Sequence, residues 1–100
     1  MHIITRSRII EASAKYPNSA SALREWYQII SRSEFKSFSD LRNTFKSVDK
    51  VKHLYVFNIA GNNLRLIAAI HFDRQKVYIR DILTHADYDK AAWKKREGIQ

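Results

Sequence analysis

The chain contains no cysteine, which removes a disulfide scaffold and any thiolate metal site and leaves nothing that argues for secretion. It has a single proline and two glycines, so there is no Gly-rich loop to cradle a nucleotide. No stretch approaches the roughly 20 apolar residues that a membrane helix requires. The N-terminal segment shows neither a long apolar run nor a cleavage-site pattern, so no signal peptide is read and the cytoplasm is the default compartment. No Asp/Glu/His spacing makes a metal site, and no serine or cysteine nucleophile motif is present. Negative charge is also scarce: ten acidic residues stand against eighteen Lys and Arg, for a net charge of +8.

What is present points one way. A strongly basic small domain suggests an anionic partner, most often nucleic acid. One hundred residues is a single-domain length. Such a chain buries roughly two-thirds of its extended surface, enough for one core.

Met1 to Ile4 is short and apolar, a possible edge strand. Thr5 is placed to cap a helix that ends near Tyr16, where Pro17 stops it. Asn18 or Ser19 restarts the pattern, and Leu23, Trp26, Tyr27 and Ile30 fall on one stripe of an amphipathic helix. Ser37-x-x-Asp40 resembles a capping box, with a short helix following to about Phe45. Lys46 to His53 is polar and basic and reads as a loop.

Three strands follow: Leu54–Ile59, Leu64–Phe72 and Lys76–Leu83. Gly61-Asn62-Asn63 and Asp73-Arg74-Gln75 are the turns of an antiparallel meander. Thr84-x-x-Asp87 is a second capping-box candidate, with Leu83 and Tyr88 as its hydrophobic staple. It starts a helix at His85 running to about Lys94, followed by a frayed basic tail. The expected fold is α+β: two N-terminal helices packed on a three- or four-stranded antiparallel sheet, with a short C-terminal helix.

Alternation along the middle strand sets Arg65, Ile67, Ala69 and His71 on one face and Leu64, Leu66, Ala68 and Ile70 on the other. The aliphatic face is the one for helices to cover, which leaves Arg65 and His71 on an open face. On the next strand Val77 and Ile79 look core-like, which would bring Arg80 to the face of Arg65. Arginines bordered by aromatics can grip phosphates while bases stack. His85, at the first helical position, faces free N–H groups that favour an anion and can act as general acid or base. Tyr88 shares its face, although the staple alone accounts for it. Lys50, Lys52 and His53 form either a solvated loop or a phosphate-gripping edge next to Arg65. Trp93 is either core or an anchor for a partner.

The run Tyr55-Val-Phe-Asn58-Ile-Ala-Gly61-Asn62-Asn-Leu64-Arg65, followed by Val77-Tyr-Ile-Arg80-Asp-Ile-Leu-Thr84-His85-Ala-Asp-Tyr88-Asp89, resembles the HigB family of bacterial toxins, within the wider RelE-like superfamily. The opening His2-Ile-Ile-Thr5 and the Lys15-Tyr16-Pro17 step share the likeness. The resemblance implies an mRNA interferase that cuts messenger RNA on the translating ribosome. It implies a HigA-type helix-turn-helix antitoxin, and operator DNA as a partner of the toxin–antitoxin complex. It implies a RelE-like fold with RNA held opposite the helices. By role, the family's catalytic residues map onto Arg65, onto Lys50 or Lys52, and onto His85 or Tyr88; from the residues themselves, Lys50, His53, Arg80 and His71 are the candidate RNA contacts. The implied chemistry uses no metal or cofactor: the RNA 2′-OH attacks the adjacent phosphorus, giving a cyclic phosphate and a free 5′-OH. In it His85, or next Lys52, acts as base, Arg65 stabilises charge, and Tyr88 or Arg80 orients the phosphate or protonates the leaving oxygen. Two other readings remain open at this point: a ParE-like toxin that poisons gyrase without nuclease activity, and a non-catalytic RNA- or ribosome-binding module.

Overall fold

Strand β4 (Leu64–His71) is apolar on both faces along most of its length, and this decides the layout. In the computed structural model, which describes residues 1–90 and 92–99, Leu64, Leu66, Ala68 and Ile70 pack into one core and Ile67 and Ala69 into a second. Antiparallel neighbours flank it, β3 (Leu54–Ile59) on one side and β5 (Lys76–Thr84) on the other. Two short strands complete the sheet: β2 (Asp49–Val51), antiparallel to β3, and β1 (His2–Ile3), parallel to β5. The order is β1-β5-β4-β3-β2.

The three- or four-stranded antiparallel sheet expected from the sequence is therefore five-stranded and mixed. β1 is held by backbone bonds, His2 N–H to Gln75 O at 2.8 Å and Ile4 N–H to Val77 O at 2.9 Å. The expected loop before β3 contains β2, whose polar composition hid it.

One face carries the N-terminal helices. Helix α1 (Arg6–Lys15) is followed by a 3₁₀ turn at Pro17–Ser19 and by α2 (Ala20–Arg32), which buries Leu23, Trp26 and Ile30. Thr5 does not cap α1. Its hydroxyl instead accepts the Ile79 N–H at 2.6 Å, tying the helix entry to β5. Helix α3 (Phe38–Thr44) starts at Ser37, which accepts the Asp40 N–H at 3.1 Å.

The other face is not open as expected. Thr84 accepts the Asp87 N–H at 3.1 Å and starts α4 (His85–Asp89). Lys90 is extended, and α5 (Ala92–Arg96) follows, so the single C-terminal helix expected is two short ones. Trp93 and Ile99 then pack on Leu54, Val56 and Ile67. As far as Ile99 the tail is not frayed, because Gly98, at φ 72°, closes a Schellman motif with Gly98 N–H on Lys95 O and Ile99 N–H on Lys94 O at 2.7 Å; Gln100 lies outside the described residues. C-terminal residues thus cover the far end of the Arg65 face, and that arginine is itself buried. Among the described residues, no helix is long and apolar enough to cross a membrane.

A register shift in β5 corrects the alternation read there. Asp81 pairs with Ile67 but Ile79 with Ala68, leaving Arg80 as the extra residue of a bulge. The bulge sends Ile82 into the first core, against the α-helices.

Candidate active site

Arg65 emerges from β4 opposite Asn58 of β3 and Leu83 of β5. It is only 8% exposed, yet among the described residues no carboxylate forms an ion pair with it. Neutral acceptors hold it instead. Nη1 donates to the Leu64 carbonyl at 3.2 Å and Nη2 to Asn62 Oδ1 at 3.3 Å. Nη2 also lies 3.4 Å from His85 Nδ1. The guanidinium carbon sits 5.8 Å from the centre of the Tyr88 ring. A shielded cation with only neutral partners still lacks its strongest one, an anion with bidentate oxygens.

The cap at Thr84 brings His85 and Tyr88 to this arginine. His85 N–H bonds the Asn63 carbonyl at 3.3 Å, so the first turn of α4 is fastened to the β3–β4 turn. A guanidinium can only donate. The Nδ1 that faces Arg65 is therefore the lone-pair nitrogen of His85, and the ring proton belongs on Nε2. Nε2 lies 3.8 Å from Asp89 Oδ2, one helical turn on, where a carboxylate can orient the ring.

Tyr88 is gripped on its other side by Trp93, whose ring stacks at 5.2 Å and whose Nε1 donates to the Tyr88 carbonyl at 2.8 Å. Burial first, and then the nearby Asp49 carboxylate, push the Tyr88 phenol above its ordinary value of 10.0, while Arg65 pulls it back. The phenol thus keeps its proton at neutral pH and is a donor there. Arg65, His85 and Tyr88, all singled out from the sequence, form one cluster. Asn62, Asp49 and Asp89 belong beside them and were not read as site residues. The only sequence signal for Asn62 is its place in the turn that precedes Arg65.

The other candidates lie elsewhere. His71 ends β4 six residues from Arg65, roughly 20 Å along the strand, with its ring edge-on to Tyr78 at 5.4 Å. Lys52 and His53 form the β2–β3 turn, next to Leu54. The register places that turn near the His71 end of the sheet, roughly 13 Å along it from Arg65. Lys50 pairs with Tyr55 and lies 5.9 Å from its ring, on the helix-bearing face. The expected phosphate-gripping edge next to Arg65 is therefore at the other end of the sheet. Arg80 does not join Arg65 either, since the bulge turns it to Glu97, with Nε–Oε1 at 2.8 Å. Among the described residues no three His, Asp or Glu side chains gather where they could hold a metal.

This cluster lies within the part of the chain that matches a known family. Residues 19–91 match the model of the HigB toxin, described as the RelE-like toxic component of a toxin–antitoxin system. The chain belongs to the HigB toxin family. It is 38% identical over 101 residues to a protein named mRNA interferase HigB in Escherichia coli O6:H1, covering 98% of both chains. It is 40% identical over 92 residues to the mRNA interferase HigB of Shigella flexneri, covering 89% of this chain and 88% of that one. Membership makes the chain the toxic half of a two-component system, with an antitoxin as its partner. The α+β architecture, helices on one face of the sheet and Arg65 on the other, agrees with the RelE-like description.

Proposed function

We propose that this toxin is a cytoplasmic, single-domain mRNA endoribonuclease that cuts translated messages on the ribosome. One observation carries the reading: Arg65 is almost buried, has no carboxylate partner among the described residues, and stands beside a histidine nitrogen and a phenol. The relatives named as mRNA interferases support the choice of substrate.

The scheme uses side chains only. A phosphate entering the cleft takes the Arg65 fork and frees His85 Nδ1. That nitrogen accepts the 2′-OH proton as the 2′ oxygen bonds to phosphorus. The bond from phosphorus to the 5′ oxygen breaks, and Tyr88 donates the proton that completes the free 5′-OH, leaving a cyclic phosphate on the other fragment. Asp89 steadies the imidazolium through Nε2. Arg65 stabilises the charge on the phosphoryl oxygens, an effect for which one donor is worth roughly a hundredfold or more in rate. Lys52, His53 and His71 follow the RNA backbone outside the reacting centre, with Lys50 reaching it from the helix-bearing side around the β2 edge. A HigA-type helix-turn-helix antitoxin neutralises the toxin, and the complex binds operator DNA.

Primer extension on a translated message after a pulse of toxin tests the proposal. Cuts within codons are expected for the wild type and lost in folded Arg65→Ala. Uncut message with arrested growth, or undiminished cutting by Arg65→Ala, would reject it.

A further inference from the structure

The two groups proposed to handle the phosphate and the proton sit on different elements, Arg65 on β4 and His85 on α4. Both are fastened to the same four-residue turn. Ala60 to Asn63 joins β3 to β4, and Ile59 pairs with Leu64 across it. Ala60 and Gly61 take φ 52° and 66°, and Asn63 N–H closes the turn on Ala60 O at 3.3 Å. From there Asn62 Oδ1 accepts Arg65 Nη2 at 3.3 Å, while Asn63 O accepts His85 N–H at 3.3 Å. Resting on the reading given above, we infer that this turn is a positioning device, and that Asn62 is a positioning residue that aims the Arg65 guanidinium.

The chemistry of the amide explains the choice. A carboxylate at position 62 would pair with Arg65 and cancel the charge that a phosphate must meet. An aliphatic side chain there would leave one Nη2 proton without its acceptor in a shielded place, at a cost comparable to an unmade hydrogen bond. A neutral oxygen holds the fork in place and leaves its charge available. The Asn62 bond also turns Nη2 toward His85 Nδ1, so the arginine and the base are held as a pair before RNA arrives. Such preorganisation is what electrostatic stabilisation of a transition state requires.

A mutant cycle tests this, with a second measurement independent of cleavage. Rates and apparent KM are measured for the wild type, Asn62→Ala, Arg65→Lys and the double variant on ribosomes carrying a translated message. The unfolding midpoint is recorded for each. Asn62→Ala is expected to lower kcat tenfold to thirtyfold with KM nearly unchanged and the midpoint lowered by no more than one unmade hydrogen bond accounts for, and to cost little more in kcat in the Arg65→Lys background. Asn62→Asp is expected to lower kcat at least as far while keeping the fold, because its charge pairs with the arginine.

In parallel, the Arg65 guanidinium resonances are followed by NMR, assigned by their loss in Arg65→Ala. Restricted rotation in the wild type and free rotation in Asn62→Ala support the inference. Equal losses of rate in both backgrounds mean that Asn62 acts on RNA itself, and unchanged guanidinium rotation means that it does not hold Arg65. Either result overturns the inference. A wild-type protein that cuts no message rejects the nuclease reading alone, since the NMR arm still reports on the aim of Arg65.

Discussion

In the proposed scheme Tyr88 carries a structural and a chemical task together. Its ring belongs to the second core, beside Leu83, as a helix staple requires. Its hydroxyl remains near Asp49 and Arg65. Burial raises its pKa, and the consequence has a definite sign. A phenol held above 10.0 in the folded state is ionised first in the unfolded chain. Its contribution to stability is complete below pH 10 and is lost as pH climbs through the folded value. Tyr55 is raised by burial too and adds to the same alkaline loss. Tyr88→Phe should therefore make the fall in stability above pH 10 shallower, as denaturant midpoints across pH would show. It should also slow message cleavage by roughly a hundredfold, the usual scale for a general acid. A variant with unchanged cleavage would remove Tyr88 from the proton transfers. The three clustered residues were legible in the sequence for separate reasons: strand alternation for Arg65, the cap for His85, the staple for Tyr88. Asn62 and Asp49 were not, because a side chain reaching in from a turn or from another strand has no periodic signature, and Asp89, one helical turn from His85, carried no signal of its own beyond that spacing.

At the scale of the element, the C-terminal segment is where sequence and structure part most. A helix was legible from Thr84, and the cap stands there. Core was one of the two readings of Trp93, and it packs there; the break at Lys90 and the packing of Ile99 were not legible, because a basic run of Lys94, Lys95 and Arg96 reads as solvated. The apolar pair that docks the segment is separated by six positions and closed only by the Gly98 turn. A related limit hid β2, since three residues cannot display alternation, whereas β1 falls where an edge strand was expected. Helices of five residues, as α4 and α5 both are, do not stand alone in water. Trp93 is what holds them: it is 1% exposed, stacks on Tyr88 and bonds its carbonyl. Trp93→Ala should cost roughly 3–5 kcal/mol, in line with large-to-small changes in cores. Trp93→Phe should cost less, about 1–2 kcal/mol, because it keeps an aromatic ring and loses the N–H donor. Urea unfolding gives both values. Cleavage should fall further than stability explains in Trp93→Ala, since Tyr88 loses its support.

For the molecule as a whole, the charge of +8 is not spread evenly in its effects. Glu97 and Asp81 are engaged by Arg80 and Arg96, each at 2.8 Å, and Asp87 and Asp89 by Lys90 and His85. Several of the scarce carboxylates thus serve the C-terminal segment. The turn carrying Lys52 and His53 lies toward the His71 end of the sheet, where no ion pair engages these groups among the described residues. Arg65 at the other end is the shielded charge. On the proposed reading the sheet has a reacting end and a tracking end, and salt distinguishes them. For single-stranded nucleic acid the logarithm of affinity falls with the logarithm of salt with a slope of roughly −0.7 per phosphate neutralised. Replacing Lys50 and Lys52 together by Ala should make that slope shallower by about 1.4 for binding to a short RNA, while leaving kcat on a translated message nearly intact. Arg65→Ala should shift the slope by about half as much and abolish turnover. If the double lysine variant lost kcat with its salt slope unchanged, Lys52 would act at the reacting phosphate. The β2–β3 turn would then have to swing toward Arg65 when RNA binds.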